Sequence, residues 1–102
     1  MNEKKRPSYD LSAIKIKFST VGGLSLTGTA LRSAFALGFG RQDIVDTIQQ
    51  IERRHFVKSM TSYADARIWQ DVYYVPHEAT SLYVKFTSDV VTEFKLLSFK
   101  EK

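Results

Sequence analysis

The hydrophobic period changes once along this chain, near residue 54, and that change limits the fold more than any other feature of the sequence. Before it, apolar residues recur at helical intervals. After it, they crowd into short runs rich in β-branched and aromatic side chains. Nine of the thirteen aromatic residues lie from Phe56 onward. A chain of 102 residues with helices first and strands after them reads as one α+β domain over residues 1–102. Its N-terminal helices are expected to pack on one face of an antiparallel sheet.

Residues 1–9, with Glu3, Lys4, Lys5, Arg6 and Pro7, read as a polar arm leading into the first element. Asp10 is placed to cap a helix in which Leu11, Ile14 and Phe18 recur at helical spacing, and Gly22-Gly23 ends it. A short extended piece, Leu24-Ser25-Leu26, follows. Thr27 or Thr29 caps a second helix with Ala30, Leu31, Ala34, Phe35 and Leu37 as its apolar stripe, stopped by Gly38 and Gly40. A third helix begins at Gln42 or Asp43. Its stripe is Ile44, Val45, Ile48 and Ile51, and Arg53 and Arg54 stand where a last-turn cation favours the helix dipole.

Strands are expected at Phe56–Tyr63, Ile68–Val75, Ser81–Thr87 and Thr92–Lys100. The intervals Ala64–Arg67, Pro76–Thr80 and Ser88–Val91 are short enough for hairpin loops. Strict alternation puts Leu82, Val84 and Phe86 on the core face and Tyr83, Lys85 and Thr87 on the other. It also groups Phe94 and Leu96 with Ser98 and Lys100, against Lys95, Leu97 and Phe99. Polar and ionisable residues among strand aromatics suit a sheet with one open face. Such a face is either an ordinary solvated surface or a platform on which aromatics stack unpaired bases while Lys and Arg hold phosphates.

Composition narrows the chemistry. The absence of cysteine rules out disulfides, thiolate metal sites and a cysteine nucleophile. The two histidines, His55 and His77, lie in different segments, and Asp65, Asp71 and Glu78 make no ligand-spaced cluster, so neither a metal nor another cofactor is expected. No Walker loop, Gly-x-Gly-x-x-Gly or Gly-x-Ser-x-Gly elbow is present. No apolar run approaches the roughly 20 residues of a membrane span and no signal peptide is visible, which points to the cytoplasm. The excess of 15 Lys and Arg over 11 Asp and Glu, a net charge of +4, permits a polyanionic partner. An enzyme built on this chain works with Lys, Arg, Tyr, Gln, Ser or Thr.

The strings Lys58-Ser59-Met60-Thr61-Ser62-Tyr63, Ile68-Trp69-Gln70-Asp71-Val72-Tyr73, Leu82-Tyr83-Val84-Lys85 and Ser98-Phe99-Lys100-Glu101-Lys102 occur in this order. Together with Lys4-Lys5-Arg6-Pro7 and Leu31-Arg32-Ser33-Ala34, they closely resemble the MqsR family of toxins from bacterial type II toxin–antitoxin systems, over essentially the whole chain. The resemblance implies a RelE-like microbial ribonuclease fold. It implies an mRNA interferase that cuts single-stranded message at short GC-containing sites without the ribosome. It also implies a cognate antitoxin, a zinc-binding helix-turn-helix repressor. A binding module that keeps the fold but does not cut RNA is the alternative. One position departs from the family pattern: Val57 stands where a tyrosine commonly precedes the KSMT lysine, and it can neither stack nor hydrogen-bond as a phenol does.

By the same resemblance the catalytic residues are Lys58, Gln70, Tyr83 and Lys100. Cleavage by the neighbouring 2′-hydroxyl needs alignment, a base, an acid and stabilisation of charge at phosphorus. Lys58 and Lys100 suit charge neutralisation, and either becomes a base or a leaving-group acid if the other lowers its pKa. Tyr83 can donate or accept near the phosphate. Gln70 cannot titrate and can orient the phosphate or read a base edge. Arg53, Arg54, Arg67, Lys85 and Tyr73 are the candidate RNA contacts, with core packing as the competing role for Tyr73 and a solvated charge for the arginines.

Overall fold

The computed structural model describes residues 2–89 and 93–102. Val90, Val91 and Thr92, which fall in the expected last hairpin and at the expected start of the last strand, lie outside the described residues. A two-residue strand β1 (Glu3–Lys4) precedes three helices, α1 (Leu11–Lys17), α2 (Gly28–Ala36) and α3 (Arg41–Gln49), and four strands, β2 (Phe56–Thr61), β3 (Trp69–His77), β4 (Thr80–Asp89) and β5 (Glu93–Glu101). The five strands form one antiparallel sheet in the order β1-β2-β3-β4-β5. The α+β architecture read from the change of period is the one observed.

The caps follow from short polar side chains at the helix starts. Asp10 accepts from the Ser12 N–H at 2.9 Å, and Thr27 Oγ1 accepts from the Ala30 N–H at 3.1 Å. At α3 the cap is Gly40, whose N–H donates to the Asp43 carboxylate at 2.7 Å. That pairing starts the helix at Arg41, before Gln42 or Asp43. Gly38 ends α2 with φ of 87°, a conformation that glycine adopts without steric cost. α3 stops at Gln49, so Arg53 and Arg54 fall in a separate 3₁₀ turn (Arg53–His55) and do not lie in its last turn.

All three helices cover the same side of the sheet. Ile14, Phe18, Ala30, Ala34, Ile44, Ile48 and Ile51 pack with Tyr73, Val75, Leu82, Val84, Phe86, Leu96 and Phe99 in one buried cluster. Each large side chain taken out of water there contributes about 1.5–3 kcal/mol. Phe35 and Leu37, expected in the α2 stripe, are exposed instead, because Ala30 and Ala34 form the face of α2 that meets β5.

Two one-residue bulges set which side chains reach the other face. In β2, Phe56 pairs with Tyr73 but Lys58 pairs with Val72, so Val57 is the extra residue. In β5, Leu96 pairs with Phe86 but Ser98 pairs with Lys85, so Leu97 is the extra residue. Strict alternation is therefore wrong for the last strand. Leu96 and Phe99 are both buried in the core, and Lys100 is exposed on the opposite face, because a bulge shifts the side-chain parity by one. The β5 bulge is tied to the helical layer. The Leu96 N–H donates to Ser25 O at 2.8 Å, Leu96 O accepts from the Thr27 N–H at 3.1 Å, and Thr27 Oγ1 donates to Leu97 O at 3.2 Å.

The N-terminal segment is likewise part of the sheet, and not only an arm leading to it. Asp71 is fully buried. Its carboxylate accepts from the Ser8 N–H at 3.0 Å and from the Tyr9 N–H at 2.9 Å. β1 then runs along β2, with Glu3 opposite Met60 and Lys4 opposite Ser59.

Removing the buried acceptor leaves two backbone donors without a partner. Asp71→Ala is therefore expected to cost about 3 kcal/mol and to speed amide hydrogen exchange at Ser8 and Tyr9, measured by urea denaturation and exchange mass spectrometry. Thr27→Val keeps the shape of the side chain and loses both of its hydroxyl bonds. Its expected cost is about 2 kcal/mol in the same denaturation assay, with Thr27→Ser retaining most of the stability.

Candidate active site

The strand register places one resemblance-derived residue on each of four adjacent strands. Lys58 is on β2, Gln70 on β3, Tyr83 on β4 and Lys100 on β5, all on the face away from the helices. Three rows cross this face. Met60, Gln70, Thr87 and Lys95 form the first, Lys58, Val72, Lys85 and Ser98 the second, and Tyr74, Tyr83 and Lys100 the third. Strands lie about 4.8 Å apart and same-face residues about 7 Å apart along a strand, so the four residues fall within one patch roughly 15–20 Å across. The two bulges are what bring Lys58 and Lys100 into this set.

The floor and walls are built from apolar surface. Val72 is fully buried although it lies on the open face. Its neighbours in register are Lys58 and Lys85, whose aliphatic stems can cover it while their amines reach outward. The Tyr74 and Tyr83 rings lie 6.0 Å apart. The Lys100 ammonium sits 5.2 Å from the Tyr83 ring centre and the Lys102 ammonium 4.6 Å from that of Tyr74, positions in which the ring quadrupole attracts the cation. Tyr74 and Lys102 belong to this face by position; Tyr74 lies just outside the motif strings, and Lys102 ends one of them without having been assigned a role. Alternation from Gln70 through Val72 already points Tyr74 this way, whereas Lys102 joins only through the β4–β5 pairing.

The lysines differ in electrostatic setting. Lys58 Nζ donates to Glu3 Oε1 at 2.9 Å, and that hydrogen bond pushes its pKa up from the ordinary lysine value. Lys58 therefore stays protonated well above neutral pH, and Lys100 does not lower it. The lysine pushed down is Lys85, first by burial and then by the Lys100 charge. Burial pushes the Tyr83 phenol up, so it holds its proton at neutral pH. The face is thus cationic, partly desolvated and rich in hydrogen-bond donors, which suits an anion such as a phosphodiester.

The other candidate RNA contacts fare differently. Tyr73 is fully buried on the core face, edge-on to Phe56 and Phe86. It is a core residue and not an RNA contact, since alternation sends it to the side opposite Tyr74. Arg53 lies over the Phe56 ring, Arg54 pairs with Glu52 at 2.9 Å, and Arg67 pairs with Asp65 at 2.9 Å. The Arg67 pair holds the Asp65 carboxyl at about 2. Among the described residues, none of these arginines bonds to the lysine and tyrosine rows. His55 Nδ1 accepts from the Glu52 N–H, and His77 lies against the Phe39 ring. No group of three or more His, Asp or Glu among the described residues is placed to hold a metal ion.

The chain matches known proteins along nearly its whole length. A family model described as "Motility quorum-sensing regulator, toxin of MqsA" matches residues 6–101. The chain is also similar to the mRNA interferase toxin MqsR of Escherichia coli (strain K12), at 37% identity over 100 residues, covering 98% of this chain and 99% of that protein.

The Tyr73 hydroxyl is buried with no hydrogen-bond partner among the described residues, and burial pushes its pKa up to about 12. A phenol that ionises near 10 when unfolded and near 12 when folded makes stability fall as pH rises from about 10 to about 12. Tyr73→Phe is expected to remove that alkaline decline and to raise stability at neutral pH by about 1 kcal/mol. Thermal denaturation from pH 7 to 11.5 checks both.

Proposed function

The chain belongs to the MqsR toxin family, and from that premise we propose that it is the toxin of a type II toxin–antitoxin system, an mRNA interferase cutting single-stranded message. The observation that carries this reading is the convergence of Lys58, Gln70, Tyr83 and Lys100, one from each of four adjacent strands, on a cationic open face. The cleavage sites are short and contain GC, and neither the ribosome nor a metal takes part. The cognate antitoxin is a zinc-binding helix-turn-helix repressor, and the place of action is the cytoplasm.

The reaction is a transfer within the RNA. The 2′-oxygen attacks the adjacent phosphorus, the bond from phosphorus to the next 5′-oxygen breaks, and a 2′,3′-cyclic phosphate and a 5′-hydroxyl result. The protonated Lys58 and the Lys100 ammonium neutralise charge that builds on the non-bridging oxygens. Such preorganised donors in a partly desolvated site lower the barrier more than they do in water. Tyr83 donates to the phosphate from its retained phenol proton, and Gln70 orients the phosphate or a flanking base.

Purified protein is expected to cut a GC-containing single-stranded RNA in excess EDTA, with the termini just named. Lys58→Ala is expected to lower the rate at least about 100-fold, the scale of losing one preorganised charge contact, while shifting the thermal midpoint by less than about 2 °C. A requirement for added metal would overturn the proposed mechanism. Intact RNA would favour a binding module.

A further inference from the structure

The reaction needs a group that takes the 2′-hydroxyl proton, and Lys58, Tyr83 and Gln70 supply none in the right form. At neutral pH Lys58 is a cation held so by its partner, and Tyr83 keeps its phenol proton. Gln70 does not titrate. Lys85 carries a lowered affinity for its proton but sits in the middle row, opposite Ser98 on β5 and away from β1 and β2. Of the described side chains on this face, Glu3 alone is a carboxylate.

Glu3 is not a stray terminal charge. Its Oε1 lies 2.9 Å from Lys58 Nζ, and its side chain is about half exposed, at 48%. β1 holds its backbone opposite Met60. On one side of it Asn2 O accepts from the Thr61 N–H at 2.9 Å, and the Asn2 N–H donates to Thr61 Oγ1 at the same distance. On the other side the chain is anchored by buried Asp71 through Ser8 and Tyr9. The charged groups that face Glu3 are Lys58 from β2 and Lys5 on its own segment, with the Tyr74 and Tyr83 phenols beyond Lys58.

We propose that Glu3 is the general base of the reaction, working as a pair with Lys58. This rests on the endoribonuclease reading above. In a near-attack geometry the 2′-oxygen stands about 3–3.5 Å from the phosphorus it attacks. A carboxylate and an ammonium 2.9 Å apart can therefore touch the 2′-hydroxyl and a non-bridging phosphate oxygen of one nucleotide together. Glu3 takes the 2′-hydroxyl proton as the oxygen-to-phosphorus bond forms. The phosphorus-to-5′-oxygen bond breaks, and the leaving oxygen takes a proton from an ammonium of the lysine rows. One proton enters the protein and one leaves it, so charge and atoms balance. The hydrogen bond from Lys58 lowers the Glu3 pKa. The carboxylate is thus in its accepting form through the neutral range, and the base is lost only as pH falls through a value below the usual glutamate one.

Steady-state cleavage of a single-stranded GC-containing RNA by the full chain, from pH 3 to 9 in EDTA, tests this. Glu3→Gln is expected to lower kcat at least about 100-fold, in the range typical of a general base. KM should stay unchanged or fall, because a negative charge beside the phosphate is gone. The acidic limb of the pH profile should vanish, and Glu3→Asp should retain both the limb and part of the rate. With a substrate carrying a 5′-bridging sulfur, whose leaving group needs no proton, Glu3→Gln should remain slow. Recovery of its rate there would show that Glu3 acts as the acid and overturn the assignment. A Glu3→Gln variant as fast as the wild type, or faster, would show that the carboxylate only competes with phosphate for Lys58, and would overturn it too. An inactive wild type, by contrast, is failure of the endoribonuclease reading itself.

Discussion

The Thr27 hydroxyl joins the two layers of this protein at one atom. It accepts from the Ala30 N–H to start α2 and donates to Leu97 O at the β5 bulge. The bulge gives β5 one residue more than β4 opposes, which lets Leu96 and Phe99 both face the core and turns Lys100 outward. Without that shift of parity, a strand carrying Leu96 inward would carry Lys100 inward as well. A charged amine has no place in a core of Ile, Phe and Val. The Val57 bulge does the same for Lys58 on the other flank of the sheet. The cationic face therefore depends on two local irregularities, one of which the helical layer holds directly.

A face that gathers Lys58, Lys85, Lys95, Lys100 and Lys102 has to offset their mutual repulsion. The tyrosine rings of the third row take the charge of Lys100 and Lys102 on their faces, and Glu3 neutralises Lys58. Lys85 has neither support, and its proton affinity is lowered first by burial and then by the Lys100 charge. The same desolvation that costs Lys85 would strengthen each contact with a phosphate once RNA excludes water from the face. Binding a polyanion relieves the repulsion that the unbound face carries. The arrangement fits a surface that stabilises the negative charge of a reacting phosphodiester better than one that coats long nucleic acid.

Much of this was legible from residue spacing. Ile44, Val45, Ile48 and Ile51 mark the buried face of the third helix without reference to anything else, because the helical period is local. Leu82, Val84 and Phe86 mark the core side of β4 by simple alternation, and Tyr83 and Lys85 follow on the other. Alternation failed where the strand was not regular. The bulges at Val57 and Leu97 have no glycine or proline to announce them, and one unannounced residue reverses every later assignment in the strand. Tyr73 and Tyr74 show how fine the margin is, since adjacent tyrosines in one strand divide between core and site. Glu3 left no signal in its own segment, because its role arises from pairing with a strand more than fifty residues away.

Residue spacing and composition alone establish the order of helices before strands, the core faces of α1, α3 and β4, and the chemical types available to a site with no cysteine. The sequence also carried the strings that identify the family. These are local properties, set by the period of the side chains and by the identity of short segments. It takes the folded sheet to put Lys58, Gln70, Tyr83 and Lys100 on one face, to turn Tyr73 to the other and to stand Glu3 against Lys58. Those outcomes depend on register, on two bulges and on the buried Asp71 that holds the N-terminal segment, and each is a contact between parts of the chain far apart in sequence. Register is chosen by the burial of whole strands against helices, and so no local pattern of residues encodes it.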